Sequence, residues 1–163
     1  MSKITYLNGD ATNPLKTDNE SRIICHVCND KGGWGRGFVL ALSKRWKEPE
    51  EYYRDWAKQK EEGWPDMQLG KIQLIEVETN LFVANMIAQH DVRWVGDIPP
   101  VRYDRVRQCL NKVAVMAKSL DASVHMPRIA SGLAGGTWQV VEGLIKETLI
   151  AKDIDVFVYD LKE

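Results

Sequence analysis

Short runs of β-branched and apolar residues alternate along this chain with segments that repeat an apolar side chain every three or four positions. That alternation leaves few architectures open. The runs are KITYLN at 3–8, RIICHV at 22–27, KIQLIEV at 71–77, LFVANMIA at 81–88, SVHMPRI at 123–129 and IDVFVYDL at 154–161, and each reads as a strand. GFVLALSKRW at 37–46 keeps its apolar residues on one helical face, and PEEYYRDWAKQKEEG at 49–63 opens on Pro49, where a helix tolerates proline, and stops at Gly63. In the third helix Tyr103, Val106, Leu110, Val113 and Ala117 recur at steps of three and four. A fourth, from about Thr137 to Lys152, has Val141, Leu144, Ile145 and Leu149 for its buried side and Thr137 as its expected N-cap. Strands alternating with such helices predict a three-layer α/β domain.

At 163 residues, with 44% apolar and 28% charged side chains, the chain has enough material for one core, and a single domain over 1–163 is expected. A net charge of −1 and a pI of about 6.3 provide no broad positive field, which argues against long nucleic acids as partners. No apolar stretch approaches the roughly 20 residues of a membrane span, and MSKITYLNGD lacks the apolar segment of a secretory signal, so the expectation is a cytoplasmic chain with no membrane partner. Cys25 and Cys28 form C-x-x-C, but positions i and i+3 of a strand face opposite sides and only Cys109 remains to complete a set. Buried thiols are expected, with neither a disulfide framework nor a metal.

Two glycine-rich segments each follow a strand and precede a helix: Gly32-Gly33-Trp34-Gly35-Arg36-Gly37 and Ser131-Gly132-Leu133-Ala134-Gly135-Gly136. In that setting backbone N–H groups without helical partners point outward at the positive end of a helix dipole and favour an anion. Two such loops suit two linked phosphates; the competing reading is two tight turns. No Gly-Lys-Ser or Gly-Lys-Thr follows the glycines, and the Rossmann fingerprint fails in position and in its acidic partner. Asp10, directly after the first strand, can accept a hydrogen bond from an exocyclic amine such as adenine's, or simply form a turn. Tyr159 on the last strand can stack on a base or pack as any strand residue does.

In order along the chain, YLNGDAT, HVCNDKGGWGRGFVLAL, LFVANMIAQ and VHMPRIASGLAGGTWQVVEGLI resemble a macrodomain over nearly the whole length. The resemblance is narrowest to the branch of the ADP-ribose 1''-phosphate phosphatase and the terminal ADP-ribose protein glycohydrolase, with their stand-alone bacterial relatives. It implies an α/β/α sandwich around a central mixed sheet, no cofactor, and a cleft for ADP-ribose or an ADP-ribosylated protein at the strand ends. Asp10 would take the adenine amine with Ala11 beside it. Gly35, Arg36 and Gly37 would surround the distal ribose and diphosphate, and Ser131, Gly132, Leu133, Ala134 and Gly135 would wrap the phosphates from the other side. Trp34 would cover the distal ribose or shape its loop from below. Asn29 would bind a ribose hydroxyl, or serve as a turn residue.

His26 matches the histidine of HxCN in the phosphatase-like branch, and an imidazole titrating near 6.5 suits acid–base work at neutral pH. His26, Asn29 and Asp91 are the catalytic candidates, with His90 a further titratable group beside them. The glycohydrolase members use a lysine where this chain has Gln89 and an aspartate where it has Ala134. An amide supplies no nucleophilic amine, so a lysyl covalent route is disfavoured. Hydrolysis at the distal ribose C1'' is the expected activity, and a non-catalytic ADP-ribose reader is the alternative.

Overall fold

The computed structural model describes residues 2–64 and 66–161, the side chain of Leu133 excepted. Met1, Pro65, Lys162 and Glu163 lie outside the described residues. The chain runs β1 (Ile4–Asn8), β2 (Ser21–Asn29), α1 (Phe38–Arg45), α2 (Glu48–Glu61), β3 (Ile72–Glu78), β4 (Leu81–Gln89), α3 (Tyr103–Leu120), β5 (Ala122–Met126), α4 (Trp138–Thr148) and β6 (Val156–Asp160). One sheet has the order β1-β6-β5-β2-β4-β3. All neighbours in it are parallel except β3, which is antiparallel to β4.

The inner strands β2 and β4 are covered on both faces, and their sequences accordingly read as near-continuous apolar runs. On one face Ile23, Cys25, Ala84 and Met86 pack with Val106, Leu110 and Val113 of α3 and Val141 and Ile145 of α4. On the other, Ile24, Cys28, Val83 and Ile87 pack with Leu42 of α1 and Tyr53, Trp56 and Ala57 of α2. The result is the three-layer α/β/α sandwich with a mixed sheet. Cys25 and Cys28 fall into opposite cores, as strand alternation requires, and all three cysteines are free.

Several boundaries differ from the sequence reading. β5 ends at Met126 rather than reaching 129, because Pro127 has no N–H to continue a ladder. α4 ends at Thr148, followed by a separate 3₁₀ turn at Ile150–Lys152. Thr137 occupies the N-cap position of α4 but its side chain makes no capping bond.

Candidate functional site

Because β1, β6, β5, β2 and β4 are parallel, their C-terminal ends share one edge of the sheet, which is where open α/β sheets hold ligands. Asp10 follows β1, Pro127 follows β5, and the first glycine loop follows β2. At about 4.8 Å per strand, β1 stands roughly 14 Å from β2 along that edge.

The two glycine loops meet. A hollow of about 320 Å³ is lined by Arg36 and Gly37 from the first, by Ser131, Gly132 and Ala134 from the second, and by Gln89 at the end of β4. A second, adjoining hollow of about 490 Å³ lies above Asn29, Gly33, Gly35, Arg36, Gln89 and Arg93. The amides of Gly35, Arg36, Gly37, Ser131 and Gly132 donate to no described residue. Gly37 has φ +77° immediately before α1, a conformation that turns the chain from the loop into the helix and suits glycine. At Gly35 an added Cβ would meet nothing within 4 Å, so the protein's own packing does not exclude a side chain there.

Gly135 is a packing position. An added Cβ there would stand 2.7 Å from both Pro99 and Trp94, so this glycine seats the 92–98 loop against the second glycine loop. The side chain of Leu133 lies outside the described residues; its backbone forms part of a 3₁₀ turn at Gly132–Ala134.

Asn29 ends β2 at a register irregularity and is 7% exposed. Its Oδ1 accepts from the amides of Lys31 and Gly33 and from the Tyr53 hydroxyl, while Nδ2 donates to the Gly33 carbonyl. The side chain therefore shapes the first glycine loop. Trp34 is 4% exposed, donates Nε1–H to Ser43 at 2.7 Å, and lies against Tyr53 and His26. Of its two expected places, the ring takes the one beneath the loop rather than over the cleft.

His26 lines the smaller hollow from below but is only 2% exposed. Asn85 uses its Nδ2 for the Pro49 carbonyl and Gln73, so its Oδ1 receives the proton on His26 Nε2. Desolvation pushes the imidazole down to about 4, against an opposing effect of the Asn85 hydrogen bond. The expectation that it titrates near neutrality is corrected: His26 is neutral at pH 7.

Asp91 has φ +57° and caps the amide of Val92. Its own amide, and the ring of His90 through Nδ1 at 2.7 Å, both bond the carboxylate of Asp30. Asp30 is nearly buried; desolvation raises its pKa, but the Asp91 amide, His90 and Lys60 together outweigh it and leave the carboxyl below its usual range. Sequence reasoning passed over Asp30, although it directly follows Asn29.

Beyond the end of β1, Asp10 is exposed, with Oδ1 bonded to the amide and hydroxyl of Thr12 at 2.8 Å. Ala11 is buried beside it. Tyr159 is 6% exposed and so is no stacking platform. Its hydroxyl accepts from the Leu15 amide at 2.9 Å and pairs with His125 Nδ1 at 2.8 Å; His125 Nε2 pairs with the Ser123 hydroxyl at 2.8 Å, which in turn contacts Thr17. Both ends of this relay land on the segment after Asp10, which it fixes to the sheet. Nothing in the sequence marked His125 for that task.

No protein-family model matches the chain. The mouse chromodomain-helicase-DNA-binding protein 1-like is 30% identical over 97% of this chain, which spans 18% of that protein's length. The ADP-ribose 1''-phosphate phosphatase of Saccharomyces cerevisiae is 25% identical over 99% of this chain and 100% of its own. A solved macrodomain protein from Streptomyces coelicolor superposes with a TM-score of 0.85 and is 47% identical, covering 98% of this chain and 100% of that one. With identity of that order sustained along an entire macrodomain and on the same sandwich, this chain belongs to the macrodomain family.

Proposed function

We infer that this macrodomain binds ADP-ribose across the C-terminal ends of its parallel strands and hydrolyses ADP-ribose derivatives at C1'' of the distal ribose, with ADP-ribose 1''-phosphate or an ADP-ribosylated protein as substrate. One observation carries the reading: both glycine loops face a single hollow, each with amides that have no partner among the described residues. A pyrophosphate there satisfies donors from both walls at once. Asp10 takes the adenine amine through Oδ2, and the second ribose extends toward Asn29, Gly35 and Gln89. The name of the yeast relative, ADP-ribose 1''-phosphate phosphatase, supports the phosphorylated substrate.

Water replaces the substituent at C1'', so the site must accept one proton from water and release one to the leaving group. Asp91 is the carboxylate we assign to that exchange; it stands outside both hollows, beside Val92 at the rim of the larger one, with Oδ1 on the Val92 amide, and has to turn toward C1'' to act. His26, neutral and hydrogen-bonded to Asn85, supports the floor of the smaller hollow beneath the pyrophosphate, and Asn29 holds the loop in shape. A second reading, a reader without turnover, is favoured by Gln89 and Ala134 at the positions where glycohydrolase relatives carry lysine and aspartate, and by the neutrality of His26.

Calorimetry with ADP-ribose and AMP tests the shared step. ADP-ribose binds far more tightly, because only it reaches both loops; equal affinity for AMP overturns the two-loop site. Phosphate release from ADP-ribose 1''-phosphate, or ADP-ribose release from modified protein, then separates enzyme from reader. Substituting Asp91→Asn should slow that release at least tenfold, in keeping with the loss of a general acid–base group.

A further inference from the structure

The larger hollow carries a positive charge, that of Arg93, to which the proposed placement of ADP-ribose gives no partner. It contains two guanidinium groups, Arg36 from the first glycine loop and Arg93 from the 92–98 loop, and no carboxylate among its lining residues. Neither arginine makes a hydrogen bond or ion pair with any described residue. The acids nearest in sequence are occupied: Asp30 bonds His90 and the Asp91 amide, and Asp91 Oδ1 takes the Val92 amide. The hollow adjoins the diphosphate hollow through Val27, Arg36, Val39 and Gln89, on the side away from Asp10.

Arg93 is also better placed than its exposure suggests. The 92–98 loop is closed by paired bonds between Val95 and Ile98, both at 3.0 Å, and its base is fixed by His90 N–H to the Pro100 carbonyl at 2.8 Å. Trp94, the next residue, rests on Gly135 of the second glycine loop. The backbone carrying the guanidinium is thus tied to both walls of the site.

We propose that Arg93, with Arg36, is the specificity determinant of the distal end: the pair selects ADP-ribose derivatives whose C1'' substituent is an anionic phosphate monoester over those ending in a neutral group. A planar guanidinium matches phosphate oxygens with two parallel donors, and two of them offset a dianion that the amide loops, already committed to the pyrophosphate, do not reach. This rests on the proposed binding mode, which places the second ribose toward the larger hollow.

Calorimetry is run with ADP-ribose and with its 1''-phosphonate, in which carbon replaces the bridging oxygen so that turnover does not intervene. The parent chain binds the phosphonate more tightly. In R93Q the ratio of the two dissociation constants falls by roughly tenfold, the scale of one hydrogen bond to a charged group. R93K, which keeps the charge but has no parallel pair of donors, retains only part of the preference, and in the parent the preference shrinks with added salt because the pair is exposed. Melting temperatures verify that both variants are folded. No preference in the parent, or an unchanged ratio in R93Q, overturns the role of Arg93 while leaving the ADP-ribose site standing; a parent that binds neither ligand overturns the functional reading itself.

Discussion

His26 and His125 sit inside the sheet without charge, held down to about 4 and about 3, in both cases chiefly by desolvation. Unfolded, the same imidazoles take up protons near 6.5. Below that value the unfolded chain binds protons that the folded chain refuses, so stability present at pH 7 is lost as the pH falls from about 6.5 toward 4. Each histidine contributes a slope of up to about 1.4 kcal/mol per pH unit. Urea midpoints measured between pH 7 and 5 should fall accordingly, and a flat profile would contradict the buried neutral state. Gly35 permits a cleaner test of the cleft, because an added side chain meets nothing and the position needs no left-handed backbone. Gly35→Glu should leave the melting temperature unchanged and weaken ADP-ribose binding at least tenfold by setting a carboxylate beside the diphosphate.

At the scale of elements, the first glycine loop is built from beneath. Asn29, Trp34 and Tyr53 join it to β2 and α2, and Trp34 reaches Ser43 in α1. Trp34→Ala should therefore cost about 3–5 kcal/mol of stability and weaken ADP-ribose binding, whereas Trp34→Phe, which keeps a ring but loses the bond to Ser43, should cost about 1 kcal/mol and leave affinity nearly unchanged. Denaturant titration and calorimetry on the two variants distinguish a scaffold from a contact: if the phenylalanine also loses binding, the indole touches the ligand. The loop was legible in the sequence from its glycines and its place between strand and helix. Its support was not, since Tyr53 lies 24 residues from Asn29 and no local pattern announces that pairing.

For the whole molecule, a ligand gripped by both walls stabilises the fold by its binding free energy. ADP-ribose at a hundred times its dissociation constant should add about 2.7 kcal/mol, seen as a higher melting temperature, and AMP at the same concentration should add less. A ligand-independent melting temperature would contradict binding to the folded state.

Periodicity is local, and so the strands, the helices and the α/β/α order could be read from the chain itself: Val106, Leu110 and Val113 point one way in any helix that holds them, and a run such as LFVANMIA has to be covered on two faces. The two glycine loops were readable as strand-to-helix connections for the same reason. Burial and partnership are set across space, and tertiary structure alone decided them. It turned Tyr159 inward to His125 and Leu15, 34 and 144 residues away, took His26 out of the titrating range, set Trp34 under the loop, and brought Arg36 and Arg93 to one hollow. A side chain's type limits what it can do; the dielectric and the neighbours it meets, which depend on strand order rather than on adjacent residues, select what it does.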